Sequence, residues 1–196
     1  MTLFLAPVAV ALLASTLMAE TPKLNIKTKH GLPMEEERKQ QMERLAKQYD
    51  LSKYTITRDI VIERGAMNHS SPVLTLNLRF LHHDDQALSV YVHEQGHWVL
   101  MERGRSHNQA LLEDLRRAFP NLDYEKPGGD GEVISSYFHI AVCMLEWQAM
   151  DELVGVERAR QVIEWEQTDH YSAIYAILLN HRDQVENILN RHGVKW

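Results

Sequence analysis

An α+β protein, mostly helical, with one domain and a small β-hairpin or sheet ahead of a central helix, is what the sequence predicts. Three observations lead there. Two short stretches, Tyr54 to Arg64 and Val73 to Phe80, alternate apolar and polar residues with the period of a strand. From Asp84 onward apolar residues recur at helical spacing, with one loop-like break at Pro120 to Asp130. The length, 196 residues, is enough for one domain with a real core.

Each element follows in order. Residues 1–19 are nearly all apolar from Leu3 to Ala19 and carry no charge until Glu20, which reads as a secretory signal peptide or, if uncleaved, a membrane anchor. Residues 20–33 read as a linker, and residues 34–196 as the folded domain. Met34 to Tyr49 is amphipathic, with Met42, Leu45, Ala46 and Tyr49 on one face. The two alternating stretches come next. With the turn residues Gly65 to Pro72 between them, they could pair as a hairpin. A long helix then starts at Asp84 and Asp85, which supply N-cap chemistry, and stops at Gly104. Further helices are expected at Asn108 to Phe119, Gly131 to Leu153, Glu157 to Glu166 and His170 to Arg191.

Composition excludes several functions. A net charge of −6 argues against a nucleic-acid partner, which needs a basic face. With a single cysteine, Cys143, no intramolecular disulfide can form. Beyond the N-terminal segment nothing reads as a stable membrane span.

The long helix carries His93-Glu94-Gln95-Gly96-His97, an H-E-x-x-H pattern. Residues four apart share a helix face, so two imidazoles can meet one cation, and the glutamate beside the first can act as a base without being a ligand. Zinc takes such nitrogens at about 2.0–2.1 Å, and catalytic sites add a third protein ligand and keep a position open for water. The extended pattern with a third histidine six residues on is excluded by Leu100 and Arg103. The helix Gly131 to Leu153 offers another source. Glu132, Ser136, His139, Cys143, Glu146 and Met150 fall on one stripe of an otherwise apolar helix. A buried carboxylate needs compensation, and zinc would provide it, so Glu146 is the expected third ligand. His139, two turns earlier, is expected to donate to an oxyanion. Cys143 is expected to be a packed thiol.

An H-E-Q-G-H helix after an alternating strand, with a helix presenting a glutamate about fifty residues on, resembles the gluzincin metallopeptidases. The spacing is nearest to the lethal-factor and Pro-Pro-endopeptidase group. The resemblance covers roughly residues 54–153 and implies one zinc ion per chain. It implies His93, His97 and Glu146 as ligands and Glu94 as general base. Where that group has a substrate-contacting tyrosine, this chain has His139, so Tyr137 or Tyr171 could supply the phenol instead. By the same analogy Val73 to Phe80 is the edge strand along which a peptide would lie, with Thr75, Asn77 and Arg79 facing the cleft.

The expectation is therefore an exported zinc metallopeptidase acting on a peptide or protein substrate. The expectation from another class is a non-catalytic zinc protein whose metal staples two helices. A hydrolase of non-peptide amides would share the metal chemistry and differ in the cleft.

Overall fold

The computed structural model describes residues 23–196. The expected export segment lies outside the described residues. Within them, no helix is long and apolar enough to cross a membrane.

The chain is mostly helical and carries a small sheet. Its elements are β1 (Asn25–Thr28), α1 (Pro33–Gln48), β2 (Asp59–Ile62), β3 (Leu74–Leu76), α2 (Asp84–Arg103), α3 (Arg105–Ala118), α4 (Val133–Val154), α5 (Val156–Asp169) and α6 (Ser172–Arg191). The sheet has the order β1-β2-β3 and both pairings are parallel, with Ile26 opposite Ile60 and Ile60 opposite Leu74. This corrects two expectations. The segment read as a linker contains β1, and β2 and β3 do not form a hairpin. Alternation shows that a strand exists but not which way its neighbour runs. The antiparallel partner of β3 is the intervening loop itself, where His69 and Thr75 exchange backbone hydrogen bonds at 3.1 and 2.8 Å. All three residues of β3 are buried, as a strand covered on both faces requires.

α1 crosses from β1 to β2 and begins at Pro33, whose missing N–H costs nothing in a first turn. Its buried face is partly polar. Arg38 donates to the carbonyl of Asn77, and Gln41 donates to the carbonyl of Phe80 and to Asp84. Arg44 grips the Asp84 carboxylate with both terminal nitrogens. These bonds fix the segment that runs from β3 into α2. Asp84 is thus a ligand of α1 rather than an N-cap, and the cap position falls to His83.

α2 and α4 form the centre. α4 is buried almost throughout, from Ser136 to Met150. A Cβ on Gly96 would meet Val142 Cγ1 at 3.5 Å and Leu145 Cβ at 3.7 Å, so the motif helix lies close against α4. The helices run antiparallel. His97 faces His139, His93 lies by Cys143, and Ser89 reaches Glu146. Gln95, one of the two unspecified motif positions, is fully buried. Its side-chain carbonyl accepts from Ile56 and Thr57 N–H, and its amide donates to the carbonyl of Thr57. It ties the chain entering β2 to the motif helix. α2 stops at Gly104, whose φ of 77° places it in the left-handed region that glycine adopts without strain.

Candidate metal centre

Three imidazoles converge where α2 meets α4. His93, His97 and His139 each offer a nitrogen, and the three nitrogens lie within 4.8 Å of one another. Ring centroids are 5.1 Å apart for His93 and His97, 4.9 Å for His97 and His139, and 5.7 Å for His93 and His139.

Glu146 stands elsewhere. It shares a second group with His93 and Cys143, not one with both motif histidines. Its carboxylate accepts the Nδ1 proton of His93 at 2.8 Å, Ser89 Oγ at 2.5 Å and the Tyr175 hydroxyl at 2.9 Å. Nδ1 of His139 lies 2.8 Å from the carbonyl of Ser135. With Nδ1 of both rings occupied as donor, Nε2 is the nitrogen left with a free lone pair on each. A carboxylate or carbonyl behind an imidazole is how metal-binding histidines are oriented and made more basic.

The electrostatics favour neutral rings. Burial, and after it the neighbouring His139 and His170, hold His93 well below its ordinary range. Burial, then His93 and His139, do the same to His97, and burial lowers His139 despite its bond to Ser135. Burial raises Glu146 to about 7, against the lowering effect of Ser89 and Tyr175. Burial also pushes the Cys143 thiol well up, as befits a thiol packed in the core.

A cleft of about 460 Å³ opens on His93 and Glu94. Asn77, Arg79 and Phe80 form one rim, and the loop through Lys126, Pro127 and Asp130 forms the other, joined by Glu166, His170 and Tyr171. Glu94 is 6% exposed and faces this space. Burial, and behind it the charge of Glu146, push its carboxyl up to about 8. A second cavity of about 390 Å³ approaches the histidines from the far side, lined by His97, His139, Leu100, Met101 and Phe138. His93 thus faces the first cavity, and His97 and His139 face the second.

Tyr171 caps the site. Its ring lies 4.5 Å from that of His139 and 6.2 Å from that of His93, and its hydroxyl is 3.4 Å from Asp130 Oδ1. Its backbone, at φ 50° and ψ 36°, is left-handed, the one such non-glycine residue among those described. Strain of this kind costs roughly 1–3 kcal/mol and persists where the surroundings dictate it, commonly at functional sites. Burial, then the Asp130 carboxylate, raise the phenol pKa, so it remains a donor. The other candidate phenol, Tyr137, is buried and donates to the carbonyl of Phe119.

The expected substrate contacts divide. Asn77, Arg79 and Tyr171 line the cleft. Thr75 is 4% exposed, lies in β3 and bonds its hydroxyl to the carbonyl of Val73, so it does not face the cleft. Nor is the edge of β3 open there. His69 pairs with Thr75, and Asn68 Oδ1 accepts the N–H of Asn77. Several neighbours of the candidate site carried no readable signal. Tyr175 and Glu166 look like ordinary helix residues until the fold turns them inward. Ser89 had a faint one, lying four residues before His93 on the same face.

No family model matches the chain, and comparison with curated proteins and with solved structures finds no similar one.

Proposed function

We propose that the chain is a zinc-dependent peptidase whose metal is held by His93, His97 and His139. The observation that supports this reading is the convergence of three neutral imidazoles between two cavities, with the glutamate of the motif facing one of them. The donor set fits zinc, which takes imidazole nitrogen and in catalytic sites commonly keeps three protein ligands and one open position. Glu146 departs from the ligand role that the gluzincin resemblance implies and instead orients His93 through Nδ1. When bound, the ion would supply Lewis acidity to a water and to the scissile carbonyl.

The chain's own residues do the rest. Glu94, beside the cleft and raised towards neutrality, takes a proton from the attacking water and returns it to the leaving amine. Tyr171, kept protonated, donates a hydrogen bond to the oxyanion of the tetrahedral intermediate. The two cavities on either side of the histidines accommodate the substrate chain on both sides of the scissile bond. The same site would serve an amide outside a peptide.

Glu94→Gln tests the reading. Zinc-loaded wild type should cleave a mixture of unstructured peptides, and the variant should hold the same zinc while losing about 10²–10⁴-fold in rate. Equal rates would remove Glu94 from the chemistry. A zinc-loaded wild type that cleaves nothing would leave a metal-stapled helix pair as the better description.

A further inference from the structure

Glu166 is an acid of the cleft with a buried oxygen left unpaired. It is 1% exposed, it lines the 460 Å³ cavity, and its Oε2 is buried without a hydrogen-bond partner. The cations around it are committed elsewhere. Arg79 forks the Asp169 carboxylate with both terminal nitrogens. Nδ1 of His170 comes within 3.2 Å of Glu166 Oε2, but it lies 2.9 Å from Asp169 Oδ2 and makes its hydrogen bond there. Tyr175, a buried phenol of the same cleft, gives its proton to Glu146. Leaving a buried carboxyl unpaired costs stability, and burial, then the charges of Glu146 and Asp169, drive it up to about 9. The rest of the cleft does not offset it. Glu94, Asp130 and Glu146 also face the space, against Lys126 and an Arg79 already held by Asp169.

An unpaired carboxyl at the floor of a cleft is complementary to a cationic donor that arrives with the substrate, and an ammonium bound there would draw off the proton the carboxyl holds when the cleft is empty. We propose that Glu166 is a specificity-determining residue that receives an alkylammonium group of the peptide, either a lysine side chain or a free N-terminal amine. The inference rests on the peptidase reading above and extends it to a substrate class. A long aliphatic stem fits the approach, since Phe80 and Val90 flank the same cavity and would cover the methylenes while the ammonium reaches the floor. Recognition by a buried polar group discriminates strongly, because a substrate lacking the donor leaves that group unpaired.

The test uses zinc-loaded wild type and Glu166→Gln on matched peptides. Each peptide carries lysine or norleucine at successive positions, and each is made with a free and with an acetylated N-terminus. Wild type should prefer the ammonium-bearing member by about 10²-fold or more in kcat/KM at one fixed distance from the cut, and the ratio should fall to within about threefold in Glu166→Gln. A preference for lysine that survives acetylation assigns the side chain. Dependence on the free terminus assigns the amine. Either outcome supports the proposal. Cleavage without preference, or a preference unchanged in the variant, overturns it and leaves the peptidase reading standing. Absence of any cleavage by wild type overturns both. Should Glu166→Gln fail to fold, wild type alone decides. Butylammonium should inhibit cleavage competitively where butanol does not, and equal effects of the two would overturn the proposal.

Discussion

Two groups of buried polar side chains, one beneath α1 and one around the three histidines, are built to opposite rules. Under α1 every buried polar group is saturated. Glu35 accepts backbone N–H from His30, Leu32 and Arg64, and Arg38 and Gln41 donate to the carbonyls of Asn77 and Phe80. None of their side-chain nitrogens or oxygens is buried without a partner. At the cleft, Glu94 meets only burial and the charge of Glu146, and Glu166 Oε2 has no partner. Saturated polarity holds a segment in place. Unsaturated polarity, held in place by saturated neighbours, is what a site leaves free for a ligand.

The comparison can be sharpened by removing one group at a time. The largest effect after the loss of Glu94 should come from Tyr171→Phe, which deletes a donor and keeps the ring against the histidines. Turnover should fall by about 10²-fold with zinc content unchanged. Steady-state kinetics that show only a raised KM would make the phenol a binding group instead. Gln41→Ala should act on stability. It strips donors from the Phe80 carbonyl and from Asp84, and should cost roughly 1–3 kcal/mol in urea unfolding. An unchanged midpoint would mean that the packing under α1 does not depend on those bonds.

Glu166→Gln should do the reverse. Folded Glu166 keeps its proton to about 9, whereas an unfolded glutamate releases it near 4.5. Between those values the unfolded chain binds fewer protons, so its contribution falls as pH rises. The variant, neutral in both states, should match wild type in acid. It should become the more stable of the two above pH 4.5, by up to about 1 kcal/mol for each pH unit. Parallel stability curves from pH 5 to 8 would show that the carboxyl is ionised in the fold.

Legibility in the sequence followed the same division between local and distant. The motif pair His93 and His97 was readable because both sit on one helix, and the helices were placed to within a few residues by their apolar spacing. Which α4 side chain joins the motif pair was not readable. His139, Cys143 and Glu146 share one stripe of α4, and seven residues of helix separate the first from the last by about 10 Å. Only the antiparallel alignment of α4 on α2, set where Gly96 meets Val142 and Leu145, decides which level faces His97 and which faces the back of His93. β1 was missed for a related reason. Four residues reading Asn-Ile-Lys-Thr carry little pattern, and their partner lies more than thirty residues away across α1.

The central claim is that His139 holds the metal and Glu146 holds His93. Zinc dissociation constants for His139→Ala and Glu146→Gln, measured by chelator competition, test it most directly. The account predicts that His139→Ala loses zinc by far more than Glu146→Gln, which should weaken binding by about 10–100-fold while leaving one zinc per chain at saturation. A Glu146→Gln variant that cannot be loaded, beside a His139→Ala variant that binds as wild type does, would contradict it.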